Sequence, residues 1–319
     1  MKAVFFIGGT SYSGSTFFDM ILANDPRGFS CGEVHALFRP YREHHYNPAC
    51  GCGDEGCDIW PRVRERGEER LYESLFDLLP DVDFVVDSSK GPLWIDRQAR
   101  LCRKRGIDVK HVLIWKTPAE MAASCEKRGH GRLWAKKWIS YHRLYLSLIG
   151  DFVACPYKAL ATDPNALEAV CRHLGIDYFD GKQEYWNKKH HTLFGNTSAK
   201  IHTREREAKH YAAEAEHLKR RAGRNDNDLS GTHRSIHYES HDSGGSLVEV
   251  ERERHGPTVN AIVRVFESRD VRANNFGTDA GAADLAGVRA SELEVRIRKI
   301  MDCRVLRNLR RLTRAPRLD

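Results

Sequence analysis

No stretch of this 319-residue chain approaches the roughly 20 consecutive apolar residues that a membrane-spanning helix needs, so an integral membrane protein is not expected. Internal repeats and sustained heptads are also lacking, which sets aside solenoids and coiled coils. A strong excess of one charge is lacking, with 51 Lys and Arg against 44 Asp and Glu. A formal net charge of +7 favours anionic ligands in general and does not single out nucleic acid, so no nucleic-acid partner is expected. The nine cysteines are odd in number and scattered outside one cluster, unlike a secreted disulfide framework, and the expected compartment is a reducing cytoplasm. Lys2 followed by apolar residues resembles the start of a signal peptide, but the run stops at Gly8 and reads as a buried strand.

What is present is a βαβ rhythm. Ala3 to Ile7, Phe84 to Val86, Val112 to Trp115 and Phe152 to Ala154 are short, apolar strand candidates. Helical patterns open at Phe17 to Leu22 and recur at Leu93 to Arg105, Glu120 to Lys127, Leu133 to Leu148, and from Pro164 to a stop at Gly175. The expected fold is α/β, a three-layer sandwich around a central parallel sheet, over residues 1–202. Residues 203–319 read as a partly irregular extension. Pieces at His237 to Tyr238, Leu247 to Val250 and Ala261 to Phe266 are strands or short helices, and a basic amphipathic helix is expected over 291–313. Docking on the protein body is the favoured role for that helix, and peripheral membrane contact the alternative.

Gly9-Thr10-Ser11-Tyr12-Ser13-Gly14-Ser15-Thr16 lies between the first strand and first helix. It fits the phosphate-loop template G-x-x-x-x-G-K-[ST] except that Ser15 replaces the lysine. Backbone N–H groups and a helix N-terminus hold phosphate without that lysine, whereas ATP or GTP hydrolysis depends on its reach to the β- and γ-phosphates. A phosphate-type ligand is expected at Ser11, Tyr12, Ser13, Gly14, Ser15 and Thr16.

Ser13-Gly14-Ser15-Thr16 in this setting resembles the first donor-binding loop of the sulfotransferases that use 3′-phosphoadenosine 5′-phosphosulfate (PAPS). Lys116-Thr117-Pro118 with Ser124 is similar to the family's R-[DN]-P…A-x-S segment, which implies that Lys116 and Ser124 bind the 3′-phosphate. Asp87-Ser88-Ser89-Lys90 resembles a segment that brings lysine to the sulfonate in bacterial and tyrosylprotein members. Pro156-Tyr157-Lys158-Ala159-Leu160 resembles the one that closes the adenine pocket, implying that Tyr157 faces the base. Gly32-Glu33 is similar to a Gly-Glu whose glutamate is the general base, a role for which burial is expected to raise its pKa; His35 is the competing base. His191…Gly195-Asn196 resembles a late segment that closes over the donor and adds Asn196 to the binding residues. The family resemblance covers about the first 200 residues. It implies PAPS as donor, a hydroxyl-bearing acceptor (carbohydrate, lipid, small molecule or peptide), and transfer that requires no metal.

Two departures stand out. Tyr12 takes the place of the lysine or arginine common before S-G-[ST]-T, and Lys116 replaces a bidentate arginine with a point charge. The rival functions are a nucleotide kinase or hydrolase on the same loop and a non-catalytic nucleotide- or partner-binding protein. Cys50-Gly51-Cys52…Cys57 is the one cysteine cluster. Free thiols or a redox disulfide are the favoured reading; the alternative is that Cys31 or a histidine of the His44-His45 pair completes a tetrahedral zinc site pinning the acceptor loop, and no residue is assigned as a metal ligand.

Overall fold

The computed structural model describes residues 2–127, 129, 134–196, 199 and 258–272. Five strands, β1 (Ala3–Gly8), β2 (Gly28–Gly32), β3 (Phe84–Asp87), β4 (Asp108–Trp115) and β5 (Val153–Pro156), form one sheet in the order β2-β3-β1-β4-β5. Every pairing is parallel. The near-continuous apolar runs of β1, β3 and the second half of β4 follow from burial on both faces, which parallel sheets require.

Alternate side chains divide between two cores. Val4, Phe6, Val85, Leu113, Trp115 and Ala154 face one layer, built from α3 (Ile59–Arg66), α4 (Leu71–Leu78), α5 (Pro92–Lys104), α6 (Pro118–Glu126) and α7 (Trp134–Leu148). Phe5, Ile7, Val86, Ile114 and Cys155 face the other, built from α1 (Ser15–Leu22), α8 (Tyr157–Thr162) and α9 (Pro164–Leu174). The expected three-layer α/β architecture is therefore the one observed. Local chemistry sets the helix ends. Thr117 and Glu120 form a reciprocal capping box around Pro118 at the start of α6, while Asp163 caps α9, which ends at left-handed Gly175.

The sequence reading does not anticipate β2, α3, α4, α8 or the four-residue α2 (His35–Phe38). β2 reads Gly-Phe-Ser-Cys-Gly and lacks β-branched residues. A side chain at Gly28 would stand 2.7 Å from the Phe84 ring, so close packing against β3 overrides propensity there.

Residues 258–268 form a further helix, α10, which contains the Ala261 to Phe266 piece. Val259, Ile262 and Phe266 are buried in the first core; the Phe266 ring lies 5.1 Å from Trp115 and 4.9 Å from the His142 ring. Just beyond it, Asp270 forms a parallel bridge with Ala154 of β5. The expected terminal helix over 291–313, the His237 to Tyr238 piece and the Leu247 to Val250 piece lie outside the described residues. Among the described residues no helix is long and apolar enough to cross a membrane.

Truncating a fully buried ring at such a junction leaves a cavity as well as losing transfer energy. Phe266→Ala is expected to destabilise the protein by about 3–5 kcal/mol, measured as a fall in the urea midpoint. A change below about 1 kcal/mol would show that α10 is not part of this core.

Candidate active site

In a parallel sheet, all strand C-termini open on one edge, where ligands of open α/β folds bind. The candidate residues follow those ends directly: the loop 9–14 after β1, Glu33 after β2, Lys90 after β3, Lys116 after β4 and Tyr157 after β5. All three described non-glycine residues with positive φ lie on this edge as well: Tyr12 (70°), Lys90 (64°) and Phe194 (54°). Left-handed backbone costs a non-glycine residue roughly 1–2 kcal/mol and concentrates at functional sites.

The phosphate-type loop is tightly wound. The Ser13 amide donates to the Thr10 carbonyl at 3.2 Å, and the Phe18 amide makes the first helical bond, to Gly14 O at 3.0 Å. The amides of Ser15, Thr16 and Phe17 are those the helix start leaves without helical partners. The Ser13 hydroxyl is buried and has no hydrogen-bond partner among the described residues. Gly14 has φ of 96°, and a Cβ there would sit 2.4 Å from the Tyr157 ring.

Tyr157 therefore stands against the loop. Lys116 Nζ lies 4.5 Å from the centroid of the same ring and donates to Ser124 Oγ at 3.0 Å. The expected Lys116–Ser124 convergence is present, with the hydroxyl carried by α6 as its proline start implied. Trp138 steadies the pair by donating its indole N–H to the Lys116 carbonyl at 3.0 Å. Asn196 donates its amide to Thr16 Oγ1 at 3.0 Å, and a Cβ at Gly195 would meet Thr16 at 2.8 Å, so the late segment lies on the first turn of α1.

Glu33 and Lys90 form a 2.6 Å ion pair that is mostly shielded from solvent, and Lys90 Nζ also donates to Ser88 O at 3.1 Å. Burial alone would raise the Glu33 carboxyl, but the Lys90 charge and hydrogen bond, with His35 and Arg42 adding to them, hold it below the usual carboxylate range. This corrects the expectation of a raised pKa: shielding is present, and the neighbouring ammonium outweighs it. His35, packed against Tyr41 and Trp94 and bonded through its backbone N–H to Ser89 Oγ, is held below its ordinary value by burial and is neutral near pH 7.

Two positioning residues carry no sequence motif. The Tyr141 hydroxyl, on α7, accepts the Gly9 amide at 2.7 Å and donates to Lys90 O at 2.7 Å, joining the phosphate-type loop to the lysine turn. Asp19, buried on α1, accepts from the Gly32 amide at 3.0 Å and from Ser88 Oγ at 2.6 Å, tying the residues that precede Glu33 and Lys90. Nothing in the local pattern distinguishes Tyr141 from a packing aromatic, whereas a charged residue amid the Phe17 to Leu22 apolar run was a visible signal.

The cysteine cluster is completed differently from the expectation. Cys50, Cys52 and Cys57 gather around His191; Cys31 is buried in β2, and neither it nor His44 or His45 joins the group. An open groove of about 690 Å³ is lined by Leu37, Tyr46, Pro48, Trp60 and Arg64 among others.

No family model and no curated protein matches the chain. Solved structures do. The sulfotransferase domain of the curacin biosynthetic pathway aligns over 57% of this chain and 77% of its own, at 17% identity and a TM-score of 0.42. The sulfotransferase domain of the Synechococcus PCC 7002 olefin synthase gives 57%, 76%, 17% and 0.42. A sulfotransferase from Alicyclobacillus acidocaldarius aligns over 56% of this chain and 82% of its own, at 20% identity and a TM-score of 0.36. A likeness this distant carries no conclusion about activity, which rests on the residues themselves.

Burial raises the Asp19 carboxyl to about 7 from an ordinary value of 3.8, with its hydrogen bonds opposing the shift and Asp87 adding to it. The folded state thus holds a proton that the unfolded state releases from about pH 4 upward. The stability this proton contributes is complete below pH 4 and is lost as pH rises to about 7, at up to ~1.4 kcal/mol per pH unit. Urea unfolding across this window is expected to show wild type losing stability relative to Asp19→Asn as pH rises. Parallel pH profiles for the two proteins would contradict the assignment.

Proposed function

We propose that this chain is a sulfotransferase that takes a sulfonate from PAPS and delivers it to an acceptor hydroxyl. The observation that carries the reading is that one aromatic ring, Tyr157, packs against both the lysine-free loop and Lys116, which in turn contacts Ser124. The loop and the start of α1 offer one set of anion-binding groups, and Lys116 with Ser124 offers another, both beside Tyr157. An adenosine with phosphate groups on both the 3′ and 5′ positions of its ribose, and no γ-phosphate needing a loop lysine, fits that arrangement. The orphaned Ser13 hydroxyl and the first-turn amides suit the 5′ end, Lys116 and Ser124 the 3′-phosphate, and Asn196 the closure over the loop.

Bound there, the donor supplies an activated sulfonate on an acid anhydride. The residues of this chain align it and manage charge. Lys90 Nζ neutralises Glu33 before the donor arrives, and an incoming sulfonate competes for the same ammonium. As Lys90 turns to that new charge, Glu33 loses the neighbour that depressed its pKa, and its burial makes it a stronger base. It then takes the proton of the acceptor hydroxyl as that oxygen bonds to sulfur and the bond from sulfur to the bridging anhydride oxygen breaks. The 3′,5′-diphosphoadenosine leaves with the electron pair while Lys90 offsets negative charge on the transferring group. Tyr141 keeps the loop and Lys90 in register, so both contacts form without further ordering. Transfer needs no metal on this account. The groove beside α2 and α3 is the proposed acceptor surface.

Lys90→Ala is expected to abolish sulfonate transfer from radiolabelled PAPS into a source-cell extract while binding of 3′,5′-diphosphoadenosine, followed by calorimetry, is retained. Undiminished transfer would refute the role of Lys90. Turnover of ATP that requires magnesium, with no transfer from PAPS by wild type, would favour a kinase or hydrolase instead.

A further inference from the structure

The cluster at Cys50, Cys52, Cys57 and His191 brings together residues up to 141 positions apart. Its ligand atoms, one from each residue, all lie within 4.8 Å of one another, and His191 Nδ1 is 3.4 Å from both Cys50 Sγ and Cys57 Sγ. A tetrahedral zinc ion with Zn–S of about 2.3 Å and Zn–N of about 2.05 Å sets its ligands about 3.5 Å (S···N) and about 3.8 Å (S···S) apart. The observed spacing matches the first of these distances closely. A disulfide would join two sulfurs and give the third thiol and the imidazole no reason to converge; all three cysteines are free thiols.

The surroundings hold these ligands in place. The Trp60 indole donates to the His191 carbonyl at 2.7 Å, and the Phe29 ring stacks on the imidazole at 5.8 Å with an 11° tilt. The ligand loop folds on itself through Gly53 N to Cys50 O at 3.3 Å and Cys57 N to Asp54 O at 3.1 Å. Any side chain at Gly51 would meet the Thr192 carbonyl at 2.5 Å, so the two ligand segments are in backbone contact. Fixing of ligands by their neighbours is what a built metal site needs.

We infer that Cys50, Cys52, Cys57 and His191 bind one zinc ion in a closed Cys₃His site. With all four positions supplied by protein, the ion holds no reactive water and acts as a structural staple. What it staples is specific. The segment beginning at His191 continues into Leu193, which donates to Cys31 O at 3.2 Å and accepts from Glu33 N at 2.9 Å, and into Asn196, which reaches Thr16. The metal thus fixes the acceptor-side loop to the strand that presents Glu33. It stands independently of which donor the protein uses.

The test is metal analysis of the full-length protein purified from zinc-supplemented medium under reducing conditions. About one zinc per chain is expected, and cobalt substitution should give the thiolate charge-transfer and visible bands of a tetrahedral site. Cys57→Ser and His191→Ala should each lose the metal, while Cys171→Ser, in the opposite core, keeps it. His191→Cys preserves four ligands and guards against loss of folding: it should retain the metal with stronger charge-transfer absorption. Metal-free wild-type protein, or metal retained by both Cys57→Ser and His191→Ala, would overturn the site. So would a cobalt spectrum unchanged in His191→Cys.

Discussion

Every strand of this sheet runs the same way, and the rest of the site depends on that constraint. Parallel pairing puts the ends of five strands on a single edge, so residues as distant as Glu33 and Tyr157 face a common space without any long-range design of their own. The price is that the edge collects polar and charged groups with little solvent to screen them. The structure meets it with short reciprocal contacts: Tyr141 between the phosphate-type loop and the lysine turn, Asp19 between the ends of β2 and β3, and the Glu33–Lys90 pair.

That ion pair joins stability to chemistry. A shielded carboxylate beside a shielded ammonium satisfies both while no anion is present, and a new negative charge disturbs both together. The left-handed backbones of Tyr12, Lys90 and Phe194 belong to the same economy: each turns the chain sharply at the edge, and the packed layers beneath hold the strain.

Much of this was legible in the sequence, and the misses have physical causes. The strands β1, β3 and the second half of β4 announced themselves because burial on both faces demands unbroken apolar runs. β2 did not, because small residues were selected there to pack against Phe84. The Lys116–Ser124 pair was legible through its resemblance to a family segment, and the helix that starts at Pro118 brings the Ser124 hydroxyl to Lys116. The Glu33 pKa went the opposite way to expectation because its partner lies 57 residues further along, and motif reading gives both residues without their separation. His191 meets Cys50 and Cys57 across 141 and 134 residues, and Tyr141 meets Gly9 and Lys90 across 132 and 51, separations that local patterns do not encode.

The central claim of the proposal is that the site offers two anion subsites beside Tyr157, the second built from Lys116 and Ser124. Comparing 3′,5′-diphosphoadenosine with adenosine 5′-monophosphate by calorimetry isolates that second site, because the two ligands differ by the 3′-phosphate alone. The account predicts that the diphosphate binds about 10- to 100-fold more tightly and that Lys116→Ala removes most of the difference. Equal affinity of wild-type protein for the two ligands would contradict it.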